Sequence, residues 1–264
     1  MIKQLLVVGL IVVLITLLLM YLLQRHLIYF PAKEMPQRNQ FHADDMGQLQ
    51  LLTPDGLYLN AWYKPASENQ PTILYLHGNA GHIGYRMPLV RQFLADGFGV
   101  LLLEYRGYGG NKGNPSEEGL YMDGRTAMHF LQGKGVAAHH LVLYGESLGT
   151  AVATKMASEF PVCAVILQSP LASLAAVARY HYPWVFIEPW DKFDSLVRIA
   201  NINTPLLILH GEQDQIIPFA QGLSLYNQAN KPKRLIILKN KGHNDIWDAE
   251  FFAEVIHFIR TYCS

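Results

Sequence analysis

The stretch Leu141-Val-Leu-Tyr-Gly-Glu-Ser-Leu-Gly-Thr150 decides how the rest of the chain is read. A short apolar run, Leu141 to Tyr144, reads as a buried strand, and Thr150 to Glu159 (TAVATKMASE) reads as a helix. Between them lies Gly145-Glu146-Ser147-Leu148-Gly149, a G-x-S-x-G in the strand–turn–helix context that a nucleophile elbow requires. So sharp a turn leaves no room for side chains at its flanks, which accounts for Gly145 and Gly149. The small residues Ala151 and Ala153 then let the helix pack close to the sheet. Ser147 is lifted to the top of the sheet, and the backbone N–H of Leu148 faces an oxyanion forming on a bound carbonyl. A bare G-x-S-x-G is also an ordinary glycine turn. The flanking strand and helix are what favour the chemical reading.

A serine hydroxyl is a poor nucleophile at neutral pH, so an imidazole must take its proton as it attacks. The partners of an elbow serine follow in the order acid, then histidine, each in the loop after a later strand. Leu206-Leu-Ile-Leu-His-Gly-Glu-Gln-Asp214 places Asp214 after one such strand, and Leu235-Ile-Ile-Leu-Lys-Asn-Lys-Gly-His243 places His243 after the next. Asp214 would fix the tautomer of the ring and stabilise the imidazolium. Glu212 is a rival for the acid, and Asp245 and Asp248 are rivals for contact with His243. None of the ten other histidines combines a late post-strand loop with the right chain order.

A second oxyanion donor belongs in the loop after the first central strand. Tyr75-Leu-His-Gly-Asn-Ala-Gly81 runs from an apolar strand into such a loop, and the backbone N–H of Asn79, or of a residue beside it, is the candidate. His139-His140 and the pair His77 and His82 lack metal-ligand spacing, so no metal site is expected.

Leu5 to Leu23 holds nineteen residues without a charge, which as a helix span roughly 28 Å, about one bilayer core. The run continues into Met20-Tyr-Leu-Leu-Gln-Arg25 rather than ending at a small-x-small site. An uncleaved, single-pass anchor over residues 1–26 is therefore expected, with a cleaved signal peptide as the rival. Positive charge flanks the run on both sides, so the positive-inside bias is small. The very short N-terminal tail points to a catalytic domain outside the cytoplasm. Lys+Arg and Asp+Glu both total 21, leaving no net charge to draw nucleic acid. Of the two cysteines, Cys163 sits in an apolar run and Cys263 is next to last. They are read as a small buried hydrophobe and a free end, with no disulfide framework.

After the connector His26-Leu-Ile-Tyr-Phe-Pro31, Gly47 to Leu52, Thr53-Pro-Asp-Gly56 and Leu57 to Tyr63 read as a hairpin. Apolar runs then alternate with helical patterns. Continuous rather than alternating hydrophobicity suits parallel strands covered on both faces. The helices are placed at Ile83 to Asp96, Ser116 to Gln132, Thr150 to Glu159, Pro218 to Asn227 and Asp248 to Tyr262. One interval breaks the rhythm: residues 169–204 separate two strands and carry Tyr180, Tyr182, Trp184, Phe186, Trp190 and Phe193. Such an insertion over the sheet forms a small lid, and it reads either as a helix pair with an aromatic core or as an acyl-chain pocket.

Taken together, these residues resemble the serine α/β-hydrolases of the bud-emergence type, which are membrane-anchored, and their animal α/β-hydrolase-domain relatives. The resemblance rests on Leu27-Ile-Tyr-Phe-Pro31, Leu76-His-Gly-Asn-Ala-Gly81 and Tyr105-Arg-Gly-Tyr-Gly109 with Pro115 to Leu120. It continues through Gly145 to Gly149, Phe193-Asp-Ser195, His210 to Asp214 and Gly242-His-Asn-Asp245. It implies an α/β-hydrolase fold over residues 27–264: a mostly parallel, doubly wound sheet with an antiparallel N-terminal hairpin and a small lid, preceded by a transmembrane helix. It also implies a triad on Ser147, Asp214 and His243, and hydrolysis of an ester or thioester of a lipid or acylated protein without a cofactor. The cysteine-rich N-terminal segment of lipidated depalmitoylating relatives is absent. An acyl-protein thioesterase or a peptidase on the same residues, and a catalytically silent membrane-tethered binding module, are the alternatives.

Overall fold

The computed structural model describes residues 1–184 and 187–263. Phe186, one of the insertion's aromatics, lies outside them. The hairpin forms as β1 (Gly47–Leu52) and β2 (Tyr58–Lys64). Six strands follow: β3 (Thr72–Leu76), β4 (Gly99–Leu103), β5 (Leu141–Glu146), β6 (Ala164–Gln168), β7 (Leu206–Gly211) and β8 (Lys233–Leu238). They pair into one eight-stranded sheet in the order β8-β7-β6-β5-β3-β4-β2-β1. Every pairing is parallel except β1 with β2 and β2 with β4.

The continuous apolarity of the central strands follows from burial on both faces. Leu74 and Leu76 of β3 pack in one core with residues of α4 (Glu117–Gly133) and α5 (Gly149–Glu159). Ile73 and Tyr75 point the other way, into a core shared with α3 (Met87–Ala95) and α9 (Ala249–Tyr262). The insertion contributes α6 (Leu174–His181) and α7 (Ser195–Ile199), and α8 (Phe219–Gln228) follows β7. The region read as one helix from Ile83 begins instead with a 3-10 turn, Ile83–Arg86, before α3.

At the N-terminus, α1 (Ile2–Leu22) is long and apolar enough to cross a membrane, with mean hydropathy 3.1 and none of its residues buried. A short helix, α2 (Gln24–Ile28), turns the chain back onto the domain. There Phe30–Pro31 pairs in parallel with Ala80–Gly81, just beyond β3.

One expectation is overturned. Cys163 and Cys263 are not free but bonded to each other, with Cα atoms 5.3 Å apart and 100 residues between them. Spacing rules find short loops, and this bridge closes a long one. Because α9 crosses the sheet face, its end comes to rest beside the start of β6, where Cys163 N–H donates to Leu141 O.

Candidate active site

The turn between β5 and α5 holds Ser147 at φ +51, left-handed backbone that costs a non-glycine residue of order 1–3 kcal/mol. Hydrogen bonds hold it there. Ser147 N–H donates to Gln168 O at 2.9 Å, and Thr150 Oγ1 donates to Ser147 O at 2.5 Å. A Cβ on Gly145 would lie 2.6 Å from Thr150 Cα, and one on Gly149 would lie 2.0 Å from Leu76 O. Only glycine lets the helix start this close to the ends of its own strand and of β3.

The loops after β7 and β8 bring Asp214 and His243 to Ser147. His243 Nε2 lies 3.0 Å from Ser147 Oγ, and His243 Nδ1 lies 2.6 Å from Asp214 Oδ2. An ionised carboxylate only accepts, so Nδ1 carries the proton and Nε2 is left to accept from the serine hydroxyl. Asp214 is buried and its oxygens are well supplied: Ile216 N–H and Ile217 N–H donate to Oδ1 at 2.9 and 2.8 Å. His210 Nε2 sits 3.3 Å from Oδ2. Burial opposes the charge on Asp214, but the hydrogen bonds from His210 and His243 outweigh it and hold the carboxyl well below the usual range. The rival acids are engaged elsewhere. Asp245 accepts from Gly242 N–H, Asp248 caps α9 and pairs with Lys241, and Glu212 is exposed.

Beyond β3, the turn His77-Gly78-Asn79 passes over the serine: a Cβ on Gly78 would lie 3.3 Å from Ser147 Cβ. Asn79 is fixed on three sides. Its carbonyl accepts from Phe30 N–H and Tyr108 Oη, each at 2.9 Å, and its side-chain amide donates to Ile28 O. Among the described residues, the backbone N–H groups of Asn79 and Leu148 have no intramolecular acceptor. Two unpaired donors beside a nucleophile are what an oxyanion site needs.

The supporting roles of Arg86, Glu146 and His210 were not read from the sequence. Arg86 Nε and Nη2 donate to Glu146 Oε2 and Oε1 at 3.0 and 2.8 Å, while Nη1 donates to Ala80 O. Arg86 therefore ties the elbow to the loop that carries Asn79. Burial opposes the Glu146 charge, but the guanidinium and the Tyr75 hydroxyl keep its carboxyl below the ordinary range. The signal was the carboxylate beside the serine, which needs a cation if the turn is buried. His210 was also visible, as the one polar residue ending an apolar strand. The insertion's aromatics form no common core. Phe193 is fully buried, but Tyr180, Tyr182, Trp184 and Trp190 are exposed. Among the described residues, no three His, Cys, Asp or Glu side chains converge as metal ligands would.

This arrangement meets the comparisons with known proteins. Residues 67–189 match the family described as serine aminopeptidase, S33, and residues 171–250 match the alpha/beta hydrolase fold family. An uncharacterized protein of Mycobacterium tuberculosis is 39% identical over 228 residues, covering 84% of this chain and 81% of its own length. Alpha/beta hydrolase domain-containing protein 17C of Xenopus laevis is 31% identical over 231 residues, covering 86% of this chain and 73% of its own. The chain belongs to the α/β-hydrolase family. A solved esterase of Pyrococcus furiosus shares the fold, with a TM-score of 0.75 at 17% identity over 90% of this chain and 98% of its own.

Two outcomes are expected of this α/β-hydrolase. Arg86→Met strands the Glu146 charge in the interior and should cost about 3–5 kcal/mol of unfolding free energy. Urea denaturation measures it, and adding Glu146→Gln should restore part of the loss. The second outcome concerns acid. A carboxyl depressed in the folded state contributes stability above its unfolded value and loses it as pH falls through the folded value. The stability difference between wild type and Asp214→Asn should therefore shrink as pH falls below about 4, near the ordinary carboxylate value. A difference that grows on acidification would contradict the depressed carboxyl.

Proposed function

We propose that this chain is a membrane-anchored serine hydrolase of the bud-emergence type that cleaves a carboxylic ester or thioester of a hydrophobic acyl substrate. The observation that carries the reading is the continuous line from Asp214 through His243 to the Ser147 hydroxyl, beside two backbone donors with no partner among the described residues. Ser147 Oγ attacks the acyl carbon while His243 Nε2 takes its proton. The carbonyl electrons move onto oxygen, which Leu148 N–H and Asn79 N–H stabilise. As the intermediate collapses, the carbon–oxygen or carbon–sulfur bond breaks and the imidazolium gives its proton to the leaving alcohol or thiol. Water, deprotonated by the same imidazole, then releases the acid and restores the serine. Asp214 stays ionised throughout. No cofactor or metal takes part.

In this reading residues 1–26 anchor the protein, residues 27–264 form the hydrolase domain, and residues 169–204 form its lid. The disulfide supports a domain outside the cytoplasm, because such bonds persist in oxidising compartments and are rare in the cytosol. Likeness to the serine aminopeptidase family favours a second reading, amide hydrolysis by the same groups. Turnover of aminoacyl anilides faster than of p-nitrophenyl esters would decide for it.

A fluorophosphonate probe should label the wild type and not Ser147→Ala. The same substitution should lower p-nitrophenyl ester turnover at least about 10³-fold. Persistent labelling of the variant would remove Ser147 as nucleophile. For topology, alkylating cells as they are lysed in denaturant without reductant should leave Cys163 and Cys263 unmodified, and prior reduction should expose both. Two free thiols before reduction would place the domain in the cytosol.

A further inference from the structure

A cavity of about 350 Å³ lies between the end of α1 and the lid. Leu17, Met20 and Tyr21 of α1 form one wall, and Leu174, Val177 and Ala178 of α6 form the opposite one. Its inner end is bounded by Asn79, from the oxyanion loop, and Ile216, two residues beyond Asp214. Leu17 and Met20, one turn apart, are half-buried against the fold, and Tyr21 beside them packs on the lid. The helix thus turns one narrow face to the enzyme and leaves the rest bare.

That wall is fixed in place. Trp190 N–H donates to Gln24 Oε1 at 2.6 Å, and the Tyr21 ring meets the Trp190 ring edge-on at 5.1 Å. Asp191, buried at the root of the lid, accepts from Arg25 Nε at 3.1 Å and from Tyr29 Oη at 2.9 Å. At the other end of α6, His181 Nε2 lies 2.9 Å from Ile216 O. The exposed rings of Tyr182, Trp184 and Trp190 belong to the same segment, and such amphipathic rings favour the headgroup level of a bilayer.

We propose that the last turn of the membrane helix is a wall of the acyl-chain site, so that the substrate is a bilayer-resident acyl ester whose chain enters between α1 and α6. This rests on the hydrolase reading above. At roughly the 30 Å³ that a water molecule takes in the liquid, the cavity holds a chain of about a dozen methylenes. The lining is mostly apolar, with Gln24, His181 and Glu188 as polar members, and Asn79 lies at the end where the carbonyl would sit.

The test uses the full-length protein in phosphatidylcholine vesicles and reads the ratio of p-nitrophenyl dodecanoate to p-nitrophenyl acetate turnover. Met20→Trp and Ala178→Trp fill the cavity from opposite walls, and each should lower the ratio about tenfold, several methylenes' worth of discrimination. Leu10→Trp, on the same helix away from the cavity, should not change it. The proposal is overturned if both cavity variants keep the wild-type ratio, or if Leu10→Trp lowers it equally. It is also overturned if 1-dodecanoylglycerol in vesicles is turned over no faster than a soluble S-dodecanoyl peptide, which would point to acylated protein. Absence of all ester turnover in wild type would instead defeat the hydrolase reading. In that case a fluorescent dodecanoic acid analogue still probes the cavity: it should bind Ser147→Ala about tenfold more tightly than Ser147→Ala carrying Met20→Trp. Equal binding overturns the site.

Discussion

The closest approach of backbone to backbone in the site is where α5 begins against the end of β3. A methyl group on Gly149 would run into Leu76 O, and one on Gly145 would run into Thr150. This contact fixes where Ser147 can be, because the helix cannot slide back and the strand cannot lengthen. It also places the turn after β3, since the chain leaving Leu76 passes over the serine, where a Cβ on Gly78 would lie 3.3 Å from Ser147 Cβ. Asn79 and Leu148 come from different parts of the sequence, yet this contact brings the turns that carry them together. Arg86 then locks the two segments together by bonding Glu146 on one side and Ala80 O on the other.

The remaining two polar groups depend on the sheet's parallel order. β5, β6, β7 and β8 are consecutive neighbours running the same way, so all their following loops rise at one edge. Asp214 and His243 reach Ser147 from that edge. The geometry is held less by the contacts among these three side chains than by what surrounds Asp214, where two backbone N–H groups donate to the carboxylate and His210 Nε2 lies 3.3 Å from it. A buried charge without those donors would cost several kcal/mol. His210 sits wholly inside the protein and also donates to Ile217 O, so it orders the acid loop rather than the reaction.

The parts legible from sequence were those whose requirement is local. Glycines flanking a serine, an apolar run before it and small residues after it must occur within ten residues, so the elbow could be read outright. Asp214 and His243 could be read because each follows its own apolar strand at once. What escaped was whatever joins distant segments. Arg86 lies in a stretch that reads as an ordinary helix, and nothing nearby names Glu146 as its partner. The Cys163–Cys263 bridge spans 100 residues, and only the path of α9 across the sheet explains it. The insertion's aromatics read equally as a packed core or as an acyl-chain pocket; of those described, Tyr180, Tyr182, Trp184 and Trp190 are exposed, and Trp190 packs against Tyr21 of the N-terminal helix.

That last contact changes how the N-terminal segment is understood. A tether need only be long and apolar, and nothing would oblige its end to be built into the enzyme. Here the chain just after α1 is bonded twice over. Gln24, Arg25 and Tyr29 hold the root of the lid, while Phe30 N–H and Ile28 O hold Asn79. A boundary drawn after residue 26 separates hydropathy classes, but it cuts through a single mechanical unit. Displacing α1 would therefore disturb the Asn79 turn and the 169–204 insertion together, since the one segment that follows the helix is bonded to both. The apolar helix thus also forms part of the wall of the cavity that reaches Asn79 and Ile216.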